Sequence, residues 1–302
     1  MKKEITLGII TFFLILLMAY WFIPFQEVEF SLNSDPSFNL GNVSSEMQFY
    51  PNMRFPSKEI SYRISEDCIL SKKNNMERAF KILENSTILE FYSVEEEEEI
   101  SIFCEEKSKF SEDSMFIAGE GGPVKILPLK NFNVILKGEV LLLRSVECGF
   151  PLVEMHELLH VLGFNHSDNP KNIMYPVVKC NQEIGDEIPL KINELYYSPS
   201  LPDLEISEVS AELYGKYLDI NISIKNQGLS ESGNWKLSIF SGSSEIKSSE
   251  FEDIKIGNGL SVSYEKIWVP KIKIEELLIV VESSKQELSL DNNQVLLKKI
   301  KN

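Results

Sequence analysis

Apolar residues are spread along this chain in three different patterns. The first is one block, Ile5–Ile23 (ITLGIITFFLILLMAYWFI), which is 19 uncharged and mostly apolar residues. A helix rises about 1.5 Å per residue, so this run covers roughly 28 Å, about the thickness of a bilayer's hydrocarbon core. Lys2 and Lys3 precede it, and Tyr20, Trp21 and Phe22 lie at its far end. This predicts a single transmembrane helix over residues 1–25 with a cytoplasmic N-terminus. A cleaved signal peptide is the alternative. The run is longer than the usual h-region of about 7–15 residues, and no small-x-small cleavage site follows it. Either reading places the bulk of the chain outside the cytoplasm, at the cell membrane or secreted.

The second pattern mixes periods. Residues 26–51 are polar and rich in Asn and Ser, a stalk or lead-in. Over 52–200, Ile60–Ile64 (ISYRI) alternates like a strand, Asn75–Leu89 has helical spacing, and Ile100–Phe103 reads as a strand. Gly121–Leu127 and Phe132–Leu143 predict two further strands, with a turn at Lys137-Gly138. The third pattern, over 201–302, is all short alternation. Tyr217–Ile224 (YLDINISI), Trp235–Phe240 and Leu277–Val281 are separated by Asn, Gly and Ser turns, which predicts an antiparallel β-sandwich.

Composition narrows the function classes. The chain has 302 residues, 43% hydrophobic and 25% charged, which fits about two globular domains. Its net charge of −16 leaves no basic footprint for nucleic acid. Residues 26–202 carry −13 of that charge, which favours cationic or neutral substrates over acidic ones. Glu95–Glu99 reads as a solvated loop, because five like charges repel. Calcium is conceivable among the acidic loops, but no ligand spacing supports it. Cys68, Cys104, Cys148 and Cys180 form an even set in a compartment that permits disulfides. Three pairings are open, as are four inert buried thiols. Cys68–Cys104 with Cys148–Cys180 is preferred, since each pair brackets one stretch of predicted structure.

The chemistry lies between His156 and Met174. His156-Glu157-Leu158-Leu159-His160 continues through Gly163 to His166, and this HExxHxxGxxH pattern holds all three histidines of the chain. On a helix, residues i and i+4 are about 40° apart, so His156 and His160 share a face. Met155, Leu158, Leu159 and Leu162 form a core-facing stripe on the other side. Gly163 suits a left-handed helix end that turns His166 back as a third ligand. Three neutral imidazoles leave one position of a tetrahedral zinc open for water, the catalytic arrangement. Zinc lowers that water's pKa toward about 7, and Glu157 is placed to accept its proton.

The segment HELLHVLGFNHSDNPKNIMYP (His156–Pro176) resembles the matrixin branch of the metzincin zinc metallopeptidases. The resemblance implies an α+β, zincin-like domain over 52–200, with a twisted mixed sheet and an active-site helix. It implies that Met174, in Ile173-Met174-Tyr175-Pro176, forms a floor beneath the histidines and that Pro176 helps wall the specificity pocket. Arg54–Ile64 resembles the family's first strand and Ile188–Tyr196 its final helix. Gly121–Pro128, with Gly122, Val124 and Ile126, resembles the edge strand along which a peptide substrate lies. No histidine remains for the second, structural zinc usual in matrixins, Val178 stands where an aromatic is common, and no cysteine-switch motif precedes the domain. Residues 201–302 resemble CARDB, an immunoglobulin-like sandwich of prokaryotic cell surfaces. Pro202–Ile206, Ile224–Gly228 (IKNQG) and Leu290–Asn293 carry that likeness, which implies a surface ligand or a spacer role. Two functions follow from these features: a membrane-anchored extracytoplasmic endopeptidase acting on protein or peptide, or an adhesion scaffold with a non-catalytic peptidase-like domain. Retention of Glu157 favours the first.

Overall fold

The computed structural model describes residues 47–106, 109–110, 116–144, 148–214, 217–269 and 276–298. All of these lie within one compact unit, Leu40–Asn302. The apolar run Ile5–Ile23 falls outside the described residues. Among the described residues, no helix is long and apolar enough to cross a membrane.

Strands β1 (Met53–Arg54) and β2 (Glu59–Ile64) lead into helix α1 (Leu70–Ser86), followed by β3 (Glu90–Ser93) and β4 (Ile100–Cys104). A short pair, β5 (Lys109–Phe110) and β6 (Phe116–Ile117), precedes a long hairpin, β7 (Gly119–Pro128) and β8 (Asn133–Leu142). Helices α2 (Leu152–Val161) and α3 (Glu187–Tyr197) complete a mixed α/β domain. Its six-stranded sheet runs β1-β8-β4-β2-β3, with β7 paired to β8. Every pair is parallel except the β7–β8 hairpin. Helix α1 makes the crossover from β2 to β3, burying Met76, Ala79, Phe80 and Leu83 at i, i+3, i+4 and i+7. It starts five residues before the predicted Asn75. Lys72 hides that first turn from pattern reading, because its ammonium is buried on the carbonyls of Glu105, Leu142 and Leu143.

Two sequence expectations are corrected. Lys137-Gly138 is not a turn. Strand β8 passes straight through it, and the hairpin turns at Leu129–Phe132, where Leu129 N–H donates to the Phe132 carbonyl at 2.8 Å. Gly138 is needed for a close approach: a Cβ there would meet Val161 Cγ1 at 2.4 Å. The acidic run is a loop but not wholly solvated. Glu98 is buried, takes a bidentate Arg63 (3.0 Å to each oxygen), and accepts from Ser101 Oγ. The core-facing stripe read on α2 is buried, and so are the other residues of that helix, all ten in number.

Two disulfides join Cys68 to Cys104 and Cys148 to Cys180. The first ties the start of α1 to the end of β4. The second ties the approach to α2 to the segment after Met174.

Beyond Pro202 the chain is all β: β9 (Leu204–Tyr214), β10 (Tyr217–Asn226), β11 (Trp235–Ser241), β12 (Ser244–Phe251), β13 (Gly259–Trp268), β14 (Glu276–Ser283) and β15 (Gln294–Lys298). They form a three-stranded sheet, β13-β10-β9, and a four-stranded one, β12-β11-β14-β15, antiparallel throughout. The alternation read from the sequence is the packing itself. Leu218, Ile220, Ile222 and Ile224 of one sheet share a core with Leu237, Ile239, Ile279 and Val281 of the other.

The candidate metal centre

Helix α2 places His156 and His160 one turn apart, and Gly163 ends the helical run with φ +93°. Two constraints meet at that glycine. The left-handed conformation disfavours a side chain, and a Cβ would lie 2.6 Å from Met53 Sδ. The turn it begins is held from outside. Phe49 N–H donates to the Gly163 carbonyl and Asn165 N–H to the Met47 carbonyl, both at 2.9 Å, so residues 47–49 pair like a strand with 163–165. The Phe49 ring stacks on His160 with centroids 5.7 Å apart. Sequence reasoning missed this contribution, because polar residues around a lone Phe and Tyr read as stalk.

The three imidazoles converge. His160 Nε2 lies 3.0 Å from His156 Nε2 and 3.1 Å from His166 Nε2. His156 Nδ1 is 2.7 Å from the Ile173 carbonyl, and His160 Nδ1 is 2.8 Å from the Phe164 carbonyl. A carbonyl oxygen can only accept, so each Nδ1 carries the proton and each Nε2 presents a bare lone pair. Lone pairs this close repel unless a cation sits between them. Tetrahedral zinc with ligands at about 2.0–2.1 Å sets nitrogens about 3.3 Å apart, so the donor set fits that ion. The triad is the group suited to holding a metal among the described residues. Burial pushes the pKa of all three imidazoles down. For His160, burial and then the neighbouring His156 bring it to about 4. They are therefore neutral, ligand-competent bases at pH 7.

Glu157 lies beside the triad, and its carboxyl is lifted to about 8, first by burial and then by the Glu120 carboxylate. The Gly121 N–H works in the opposite direction. Beneath the triad, the Ile173 carbonyl that orients His156 belongs to the same turn as Met174. That methionine is buried and its N–H donates to Asn172 Oδ1 at 2.8 Å. Ser167 N–H closes the turn on the Met174 carbonyl at 2.9 Å.

Residues 54–196 match the family model for Matrixin, and 201–296 match that for CARDB. Zinc metallopeptidase is the class that the match over 54–196 supports. No curated protein matches the chain. Among solved structures, the chain is similar to a cell surface protein domain from Methanosarcina acetivorans, at 15% identity and TM-score 0.28, covering 34% of this chain and 95% of that one. It is also similar to high choriolytic enzyme 1, a hatching enzyme zinc-protease from Oryzias latipes (medaka fish). That likeness has 20% identity and TM-score 0.24, covering 42% of this chain and 54% of that one.

In the matrixin-like domain β7 is an outer strand, paired among the described strands with β8. Val124 is exposed and Ile126 half-buried against the core, while Gly122 has open space around it. The glycines with a steric reason are Gly119 and Gly121. A Cβ on the first would meet Glu157 Cγ at 2.7 Å, and on the second the Glu157 carbonyl oxygen at 2.3 Å. They let β7 lie directly on the stretch of α2 that carries Glu157. Their signal was present in the run Gly119-Glu120-Gly121-Gly122. Pro176 is exposed just past the methionine turn, and Val178 is half-buried against the core.

Proposed function

We propose that this protein is a membrane-anchored, zinc-dependent endopeptidase working outside the cytoplasm. The reading is carried by the convergence of the three Nε2 atoms beside Glu157 in a domain that matches the matrixin model. His156, His160 and His166 would hold the zinc, which when bound supplies a Lewis acid for a carbonyl and acidifies water. A dication held by the triad would favour the carboxylate form of Glu157, which then serves as the proton acceptor and afterwards as the donor to the leaving amine. Gly119 and Gly121 let β7 pack directly on Glu157, and Met174 and Pro176 form the floor and wall of the site. An extended peptide lies along β7 by backbone pairing. The domain is read as a metzincin-type fold and the C-terminal half as an immunoglobulin-like sandwich. The two disulfides support an oxidising compartment. The uncharged run Ile5–Ile23 supports the membrane anchor.

The test is to purify the full chain, measure bound zinc, and compare cleavage of a peptide library with that of Glu157→Ala. One zinc per chain is expected, with cleavage in the parent falling at least about 10³-fold in the variant. Stoichiometric zinc without cleavage would favour the scaffold function. Absence of metal binding would defeat the metal-centre reading itself.

A further inference from the structure

The three sequence segments that carry the CARDB likeness are far apart in the chain, but hydrogen bonds gather them at one end of the sandwich. Asn226 is fully buried and uses its whole amide. Its Oδ1 accepts from Asp203 N–H (3.2 Å) and Gly228 N–H (3.0 Å), and its Nδ2 donates to the Ser230 (2.7 Å) and Ile254 (2.9 Å) carbonyls. Asn292 Nδ2 donates to Asp203 Oδ1 at 2.9 Å, and Gln227 N–H to the Asp203 carbonyl at 2.8 Å. Such a network rigidifies the loops it joins.

What these loops present is a grip on the tip of the β7–β8 hairpin. Gln227 Oε1 accepts from Lys130 N–H at 3.2 Å, and the Lys130 ammonium pairs with Glu205 at 2.6 Å. Leu229, 1% exposed, joins Phe132 and Val134 in a separate buried cluster that Leu127 and Leu288 complete. Gly257, at φ +70°, lies so close that a Cβ would meet Leu127 Cδ2 at 2.5 Å. The opposite end of the same hairpin rests on α2, through Gly119 and Gly121 at Glu157 and Gly138 at Val161. One hairpin thus spans from the sandwich to the metal helix.

We propose that the C-terminal sandwich is a positioning element of the peptidase: its loops brace the β7–β8 hairpin and so set the substrate-bearing edge of β7 against Glu157 and the triad. This rests on the peptidase reading above. The sandwich contributes no group to bond making or breaking. Its effect falls on how an extended peptide is held, which belongs to KM rather than to zinc binding.

The experiment compares the full chain with Leu229→Asp and the milder Leu229→Ala. Its readouts are backbone hydrogen exchange, zinc content, and hydrolysis of an extended peptide. Exchange in residues 119–142 should rise on the order of tenfold in Leu229→Asp, with α1 protected as in the parent. KM should rise on the order of tenfold with kcat changed less than about twofold and zinc still one per chain. Leu229→Ala should shift both readouts the same way by a smaller factor. Unchanged hairpin exchange and KM would overturn the proposal. So would exchange rising equally in α1 and the hairpin, or an effect confined to kcat. If the parent hydrolyses nothing, the peptidase reading fails, while the exchange comparison still decides whether the sandwich braces the hairpin.

Discussion

Single residues here answer to two pressures, conformation and charge. Gly163 is held both by φ +93° and by Met53 at 2.6 Å. Gly163→Ala should therefore cost about 1–3 kcal/mol of stability and move His166 out of the triad. A lowered Tm together with lost zinc binding would show this. An alanine variant that keeps one zinc and the parent's Tm would exclude it. At Glu98, the Arg63 guanidinium first, and then Ser101, hold the carboxyl down at about 2, against about 4.5 in an unfolded chain. A depressed folded-state pKa stabilises the fold above about pH 4.5, and that contribution is lost as pH falls toward 2. Urea titrations between those pH values should show a loss of stability that is shallower in Glu98→Gln. Equal slopes would mean that Glu98 does not couple to folding. Both residues were visible in the sequence, but only Gly163 was assigned its reason. Glu98 was hidden in a run of five identical residues, and its partner Arg63 is 35 positions away.

At the scale of elements, the metal centre depends on a segment that no motif marks. Residues 47–49 add a strand-like pair to the turn between the second and third imidazoles, and Phe49 covers the ring of His160. Groups that orient metal ligands from behind typically change affinity 10–100-fold when removed, so Phe49→Ala should weaken zinc binding about tenfold. Competition with a chelator at constant pH measures this, provided the circular dichroism spectrum matches the parent's. Unaltered zinc affinity would reduce Phe49 to a surface contact. Helix α1 illustrates the opposite case, where the pattern was legible because one face is buried at helical spacing. Leu83 is fully buried there, and Leu83→Ala should cost about 2–5 kcal/mol in a denaturant titration. Helix α2 was legible as a helix but not as a buried one. Its polar residues, His156, Glu157 and His160, are inside because the site is inside.

Across the molecule, two covalent links tie distant elements of the mixed domain together, and Cys148–Cys180 flanks the site. The Cys68–Cys104 link spans 36 residues, and chain-entropy reasoning assigns such a loop about 4 kcal/mol. Reduction should therefore lower the urea midpoint substantially, and an identical midpoint with and without reductant would contradict it. The links also separate what was legible from what was not. The amino-acid order by itself determined the elements with strict periods, the three candidate ligands with Glu157 beside them, and the division into a mixed and an all-β half. These depend on local geometry: a helix places i and i+4 on one face, a strand alternates, and a glycine permits one turn. The tertiary structure alone decided what depends on residues meeting from far apart. It chose among the three cysteine pairings by bonding Cys68 to Cys104 and Cys148 to Cys180, ran β8 through Lys137-Gly138, buried Glu98, and brought Met47–Phe49 beside His160. It also set the sandwich on the tip of the β7–β8 hairpin. Those contacts arise when the chain closes around shared cores, where packing and paired charges outweigh local preference, and no local pattern records which distant partner will be there.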